Sequence, residues 1–144
     1  MKTGQAGLEL IKSFEGCRLE AYLCPAKVWT IGYGHTGKVG GKAIKAGMKI
    51  TQEKAEELLK QDLKSIESAV IKAKKGFVPN QNQFDALVSF AYNVGAGNLR
   101  VLLSNGTRDV KTVAAKILLY NKANGKELGG LTRRRKAEQA LFNK

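Results

Sequence analysis

Residues 14–36 read FEGCRLEAYLCPAKVWTIGYGHT and present a closely spaced group of reactive side chains. Glu15 stands at the predicted end of a short helix, where a carboxylic acid can serve as a proton donor. A strand-like stretch follows, with a thiol at Cys24, a hydroxyl at Thr30 and the single histidine at His35. These residues are candidates for catalysis, and the alternatives at this point are a solvent-exposed glutamate at a helix end and an inert buried cysteine.

The first third of the chain changes from helical to strand-like patterning. Leu8, Ile11 and Phe14 lie three residues apart, which predicts a first helix over residues 4–14, ended by Gly16. Residues 17–50 combine aromatic and β-branched side chains with frequent glycines. That composition predicts a small antiparallel sheet with tight turns.

The rest of the chain has mainly helical periodicity. Thr51 is a predicted N-cap for a long amphipathic helix that ends at Gly76, and a largely buried helix is predicted within residues 81–95. Shorter helices are predicted near residues 99–103, 110–121 and 132–142, with glycines separating the last two. The sequence thus predicts an α+β protein with a small antiparallel β lobe, a larger helical lobe, a long helix joining them and a ligand cleft between them.

Length and charge restrict the classes of protein to consider. The 144 residues predict one domain, with the β lobe at about residues 15–55 and the helical lobe at about residues 70–144 plus the N-terminal helix. A net charge of +13 favours anionic partners, namely nucleic acid, anionic lipid or bacterial wall. The basic residues are scattered and no nucleic-acid-binding module is recognisable, so we expect no specific nucleic-acid partner.

The cysteines and the hydropathy pattern argue against a disulfide-stapled domain, a metal site and a membrane protein. Cys17 and Cys24 are too few for a disulfide-stapled domain and lack the spacing of a zinc site, so we expect no metal and no cofactor. A Cys17–Cys24 disulfide stays open as an alternative. No apolar run approaches the ~18 residues of a membrane span, and the N-terminus has no signal-like apolar region. We therefore expect synthesis in the cytoplasm.

The spacing Glu-x8-Cys-x5-Thr, followed by TIGYGHT, resembles the phage-type lysozymes of glycoside hydrolase family 24. Those enzymes carry Glu-x8-Asp-x5-Thr at these positions. The segments FAYNVGAGNLR at residues 90–100 and LTRRRKAEQALF at residues 131–142 are also similar to family segments. The resemblance implies a lysozyme fold and a muramidase that hydrolyses the β-1,4 bond between N-acetylmuramic acid and N-acetylglucosamine, as an endolysin does in host lysis.

The resemblance also implies catalytic roles for three residues. Glu15, beside the apolar side chain of Phe14, would protonate the leaving oxygen, and Cys24 with Thr30 would hold the attacking water. A neutral thiol is a weaker base than a carboxylate, although nearby lysines would favour the thiolate and burial would oppose it. The role of Cys24 as base, nucleophile or orienting group therefore stays open, as does the choice between inversion and retention.

Further residues are implied as substrate-binding or supporting groups. Glycine beside Tyr33 would let a ligand approach the backbone. His35 would pair with Asp62, and Arg134 would approach Glu15. The residues expected to contact saccharide are Tyr33, Gly34, His35, Thr36, Tyr92 and Asn93.

The resemblance implies partners as well as a substrate. We expect a monomer that acts on peptidoglycan in the periplasm after release by a holin-type partner. The basic residues of the segment 113–126 also suggest contact with anionic outer-membrane lipid. The alternative function is a cell-wall or anionic-surface binding protein with a lysozyme fold and little turnover.

Overall fold

The computed structural model describes residues 1–144 and contains six α-helices and seven short β-strands. The helices are α1 (Gln5–Glu15), α2 (Gln52–Lys74), α3 (Gln81–Val94), α4 (Ala96–Leu103), α5 (Val110–Ile117) and α6 (Gly129–Phe142). The strands are β1 (Arg18–Leu23), β2 (Trp29–Gly32), β3 (His35–Thr36), β4 (Lys38–Val39), β5 (Lys42–Ala43), β6 (Lys122–Ala123) and β7 (Lys126–Glu127). The protein is therefore α+β and mainly helical, as the sequence predicted.

The chain forms two compact units. We call Lys12–Asp62 the sheet unit, and Met1–Ile11 together with Leu63–Lys144 the helical unit. Helices α1 and α2 each contribute residues to both units. No helix combines the length and the apolar character that crossing a membrane requires.

The sheet unit is built around a three-stranded antiparallel sheet in the order β1-β2-β3. Tyr22 pairs with Thr30, and Thr30 pairs in turn with Thr36, so the three strands meet at Thr30. Ile31 on β2 is fully buried and packs with Ile44 and with Leu58 of α2. Trp29 packs against this cluster, which agrees with a role in the core for its side chain.

The helical unit holds the N-terminal half of α1 through one buried carboxylate. Asp85 of α3 accepts hydrogen bonds from the backbone N–H groups of Gly4, at 2.9 Å, and Gly7, at 3.2 Å. Gly4 directly precedes α1 and Gly7 lies in its first turn, where N–H groups have no partner within the helix. A Cβ atom on Gly7 would lie 2.8 Å from the Cβ of Asp85, so glycine allows the two helices this close approach.

Helix α3 lies in the centre of the helical unit. Asn80 and Gln83 form a reciprocal capping box at its start, and Gly95, with a φ of 91°, ends it. The surrounding helices pack apolar side chains against it. The buried apolar residues of this core include Val70, Phe84, Leu87, Val88, Phe90, Leu99, Leu102, Leu103, Val113, Ile117 and Phe142.

Two predicted helix bounds near the C-terminus were wrong. Helix α5 ends at Ile117 rather than near residue 121, and the ring of Tyr120 packs edge-on against Phe90 at 5.0 Å. The hairpin of β6 and β7 was not predicted, although Asn124-Gly125 is a strong signal for its turn and both residues have positive φ. Helix α6 begins at Gly129, so two of the three glycines predicted to separate the helices, Gly129 and Gly130, lie inside its first turn, whereas Gly125 does lie between the helices.

Candidate active site

Glu15 is the last residue of α1 and its side chain is partly buried. Gly16 has a φ of 70°, and its N–H donates to the carbonyl of Lys12 at 3.1 Å, which ends the helix at this point. Lys12 forms a close ion pair with Glu56, and this contact lowers the pKa of Glu56. A carboxylate thus balances the nearby lysine charge one turn before Glu15.

Cys24 lies in the tight turn that joins β1 to β2. Its N–H donates to the carbonyl of Val28 at 3.0 Å, and the N–H of Lys27 donates to the carbonyl of Cys24 at 2.8 Å. Lys27 has a φ of 61°, which the sharp reversal of the chain requires. The hydroxyl of Thr30, buried at the start of β2, donates to the carbonyl of Val28 at 2.9 Å. Backbone hydrogen bonds therefore hold Cys24 in this turn, and the hydroxyl of Thr30 is held beside the turn at the start of β2.

This turn lowers the pKa of the Cys24 thiol. The largest cause is a hydrogen bond from the backbone of Val28. Desolvation raises the pKa, and hydrogen bonds from the backbone of Ala26 and the hydroxyl of Thr30 lower it further. Hydrogen bonds of this kind stabilise the thiolate. The lowered pKa of Cys24 thus arises from the local turn and not from nearby lysines, as the sequence had suggested.

His35 of β3 is buried, and both of its ring nitrogens face oxygen atoms. Nδ1 lies 2.8 Å from Oδ2 and 3.0 Å from Oδ1 of Asp62, and Nε2 lies 2.8 Å from the carbonyl of Lys38. The Asp62 carboxylate and the Lys38 carbonyl can each accept a hydrogen bond from a ring N–H. This arrangement fixes the ring between α2 and the sheet.

The residues around His35 differ in accessibility. Tyr33 is buried, and its hydroxyl accepts a hydrogen bond from Nε2 of Gln52 at 2.8 Å. Oε1 of Gln52 in turn accepts from the thiol of Cys17 at 3.5 Å. Gly34 has a φ of 82° and Thr36 is exposed. Of these residues, Gly34 and Thr36 offer the more accessible surface to a ligand.

Tyr92 and Asn93 lie in the last turn of α3, in the helical unit. Asn93 is exposed and lines a pocket of about 300 Å³ together with Asn98, Tyr120 and Lys122. Amide, phenol and ammonium groups can all bond to the hydroxyl and acetamido groups of a saccharide. The pocket therefore has suitable chemistry at the position where the sequence predicts a saccharide contact.

Arg134 is buried with 4% of its surface exposed, and Arg135 is fully buried at 0%. Glu138 faces both guanidinium groups: its Oε2 lies 3.2 Å from Nε of Arg134, and its Oε1 lies 2.7 Å from Nε of Arg135. The second contact is an ion pair without hydrogen-bond geometry. Ser89 of α3 donates to Glu138 at 2.6 Å. Arg134 and Arg135 thus belong to a buried ionic cluster, whereas Arg133 on the same helix is exposed.

Comparison with known proteins identifies the family. Residues 12–138 match the family described as phage lysozyme. The chain belongs to the phage lysozyme family. The endolysin of Bacillus phage PZA is 45% identical over 150 residues, which cover 99% of this chain and 55% of that protein.

Two further comparisons involve a phage of Salmonella. The endolysin of Salmonella phage P22 is 43% identical over 147 residues, which cover 99% of this chain and 98% of that protein. A solved structure of a P22 lysozyme variant superimposes with a TM-score of 0.90 at 37% identity, covering 100% of this chain and 99% of the other. The chain spans about half the length of the Bacillus phage relative, 55%, and nearly all of the Salmonella phage relative, 98%. These likenesses confirm the predicted lysozyme fold.

In this member of the phage lysozyme family, most of the predicted site lies in the sheet unit. Glu15, Cys24, Thr30, the segment 33–36 and Asp62 belong to that unit, whereas Tyr92, Asn93 and Arg134 belong to the helical unit. Glu138 and Ser89, which form hydrogen bonds with Arg134, were not predicted as site residues. Glu138 stands four residues after Arg134, a spacing at which helical side chains meet, and that was the available signal.

Proposed function

We propose that the protein is a muramidase of the endolysin type. It would hydrolyse the β-1,4 bond between N-acetylmuramic acid and N-acetylglucosamine in peptidoglycan. Membership of the phage lysozyme family supports this proposal, as does the similarity to endolysins over nearly the whole chain. The observation that carries it is that Glu15, Cys24 and Thr30 lie in one compact unit of a chain that matches the phage lysozyme family over residues 12–138.

Glycoside hydrolysis requires a proton donor for the leaving oxygen and a group that activates water or attacks the sugar. We assign the first role to Glu15, which would protonate O4 of the departing N-acetylglucosamine. Water would add to C1 of the N-acetylmuramic acid and lose its proton to a base. Cys24 and Thr30 would hold that water. Glu15 and Cys24 are both only partly buried, as side chains that meet substrate must be.

The lowered pKa of Cys24 bears directly on its role. A larger fraction of the thiol is ionised near neutral pH than in an ordinary cysteine, so Cys24 can accept a proton from water or attack the sugar. The hydroxyl of Thr30 has two nearby acceptors, the carbonyl of Val28 and the Cys24 thiolate. Turning from one acceptor to the other would let Thr30 orient a water molecule held between them.

The other site residues receive positioning and binding roles in this proposal. His35 would position the sheet against α2, since Asp62 and the Lys38 carbonyl already engage its ring nitrogens. The guanidinium group of Arg134 would approach Glu15. The groups assigned to saccharide contact are Tyr33, Gly34, His35 through its backbone, Thr36, Tyr92 and Asn93.

The proposal extends to the working state of the protein. Residues 1–144 would act as one monomeric catalytic domain on periplasmic peptidoglycan, after a holin-type partner has opened the way. Contact with anionic outer-membrane lipid is assigned to Lys116, Lys122 and Lys126, of which the last two lie exposed on the β6–β7 hairpin. Replacing Lys116 and Lys126 by glutamate should weaken action on intact Gram-negative cells and leave digestion of purified wall unchanged. Lys122 is kept in this variant because it lines the pocket beside Asn93.

The test of the proposed reaction is digestion of purified Gram-negative peptidoglycan, followed as clearing and as new reducing ends. Glu15→Gln should abolish both signals. Glu9→Gln, an exposed glutamate on the same helix, should leave both signals unchanged. The new reducing end should be muramic acid, which separates a muramidase from a glucosaminidase, an amidase or a peptidase.

Variants of the turn define the role of Cys24. Cys24→Asp should retain turnover and Cys24→Ser should lose it if the residue works as a base or a charge. Retention in both variants would assign an orienting role. No release of reducing ends by the unmodified protein, under reducing conditions as well, would refute the muramidase proposal and leave wall binding without turnover.

A further inference from the structure

A cationic groove lies on the helical unit, between the second half of α2 and the turn that follows α4. It consists of two adjoining pockets of about 670 and 530 Å³, which share Arg100 and Asn105 in their walls. Lys72, Lys75 and Ser68 line the first pocket, and Arg108 lines the second. The residues proposed for hydrolysis line neither pocket.

No negatively charged side chain of the protein forms an ion pair with the lysines or with Arg100 of this groove. Lys72, Lys75 and Arg100 are exposed and form no ion pair or side-chain hydrogen bond with another residue. No carboxylate lines either pocket. Three cations that face one concave surface repel one another, and an anion bound between them would relieve that repulsion.

Arg108 closes the second pocket in a fixed position. Its Nη1 donates to the carbonyls of Val101, at 3.2 Å, and Leu102, at 2.9 Å, at the C-terminal end of α4. Its charge helps to lower the pKa of the neighbouring Asp109, which caps α5 outside the groove. Arg108 therefore forms part of the wall of the groove. The positive charge available to bind an anion comes from Lys72, Lys75 and Arg100.

The turn at the end of α4 holds the groove in shape. Ser104, Asn105 and Gly106 all have positive φ, at 48°, 54° and 80°. A Cβ atom on Gly106 would lie 2.3 Å from the carbonyl oxygen of Lys74, so this turn packs directly on the end of α2. Non-glycine residues in this conformation cost free energy and persist where surrounding structure holds them. Asn105 is thereby fixed next to Lys75.

We propose that this groove binds a phosphodiester-linked polyol or sugar polymer. The three cations suit successive phosphates, and Ser68 and Asn105 suit the hydroxyl groups between them. No aromatic side chain lines the groove, so nucleic acid bases have no stacking surface there. Val101 is the only large apolar residue of the groove, so the groove offers too little apolar surface to bind an acyl chain. This binding is separate from hydrolysis and does not depend on it.

The test measures binding of the full-length protein to deacylated poly(glycerol phosphate), with neutral dextran as the polymer control. Replacing Lys72, Lys75 and Arg100 by glutamine should raise Kd at least tenfold. The matched control replaces Lys42, Lys45 and Lys49 by glutamine, which removes the same charge from exposed sites of the sheet unit and should change Kd less than twofold. Loss of three phosphate contacts should also reduce the slope of log Kd against log salt by about 2, at roughly 0.7 per contact on a flexible polyanion.

Other variants and probes separate this binding from alternatives. Ser68→Glu, which adds a carboxylate among the three cations, should weaken binding, and Glu15→Gln should not change it. Equal weakening in the groove variant and the lysine control would overturn the proposal, because only the overall charge would then matter. Tighter binding of single-stranded DNA or of vesicles containing phosphatidylglycerol than of the polymer, lost in the groove variant, would also overturn it.

Discussion

Replacing Glu138 by glutamine should destabilise the protein strongly. The carboxylate is fully buried and faces the guanidinium groups of Arg134 and Arg135, which are 4% and 0% exposed. Glutamine nearly preserves the shape of the side chain but removes its charge. Two buried cations would then lack the carboxylate that both of them contact.

The magnitude follows from opposing electrostatic effects. A unit charge pair at 4 Å is worth about 4 kcal/mol at an effective dielectric constant of about 20, and Glu138 takes part in two such pairs. Desolvation opposes this gain, and it raises the pKa of Glu138. Breaking buried ion pairs on one side typically costs about 3–5 kcal/mol, and we expect about 3 kcal/mol here. For a chain of this size, that corresponds to a fall in Tm of about 10 °C.

Urea unfolding at constant pH measures the loss in free energy of unfolding. A thermal scan followed by circular dichroism measures the fall in Tm. Glu57→Gln is the matched control, because Glu57 is exposed and its contact with Lys54 is 3.3 Å. That substitution should cost less than about 0.5 kcal/mol. Adding Arg135→Met to Glu138→Gln should recover part of the loss by removing one unpaired cation. A loss below about 1 kcal/mol for Glu138→Gln would show that the cluster relaxes into solvent and would refute this reasoning.

Three further predictions test local features of the fold and the site. Gly106→Ala should lower the free energy of unfolding in urea by more than about 2 kcal/mol, because the new Cβ would lie 2.3 Å from the carbonyl oxygen of Lys74. Gly40 also has a positive φ but faces open space, so Gly40→Ala should cost only about 1 kcal/mol. Equal costs for the two variants would contradict the close contact. Asn80→Ala should cost about 1 kcal/mol through loss of the capping box, and an unchanged urea midpoint would argue against that cap. Alkylation of Cys24 by iodoacetamide should reach half its maximal rate at lower pH than a cysteine peptide does, because its pKa is lowered and the thiolate reacts. A half-maximal rate at or above the peptide's pH would contradict the hydrogen-bonded thiolate.

Local sequence signals were enough for the elements with strong periodicity or strong punctuation. Gly16 ended α1, Thr51 preceded α2, and Asn80 and Gly95 bounded α3 within a residue of the predicted positions. Each signal acts through the conformational preference of one or two residues, so it can be recognised without the rest of the molecule. The misassigned segment was 118–130, where an Asn-Gly turn was available but the apolar run before it was assigned to helix.

The spacing of Glu15, Cys24 and Thr30 could likewise be recognised along the chain, and so could the pairing of His35 with Asp62 by resemblance. The lowered pKa of the Cys24 thiol could not be recognised from the sequence. Its pKa depends on how the backbone of Val28 and the hydroxyl of Thr30 are directed within the turn, and that direction appears only in three dimensions.

Periodicity, capping residues and the glycine pattern were thus sufficient to indicate the α+β class, the principal helices and the segment that carries the candidate catalytic groups. Tertiary packing alone decided which charged residues are buried and which partners they contact. It buried Arg135 against Glu138, placed Asp85 at the start of α1 and left Lys72, Lys75 and Arg100 together without a carboxylate. The physical reason is that periodicity describes each element separately. The solvation of a charge and the distance to its partner depend on residues far away in sequence, which only packing brings into contact.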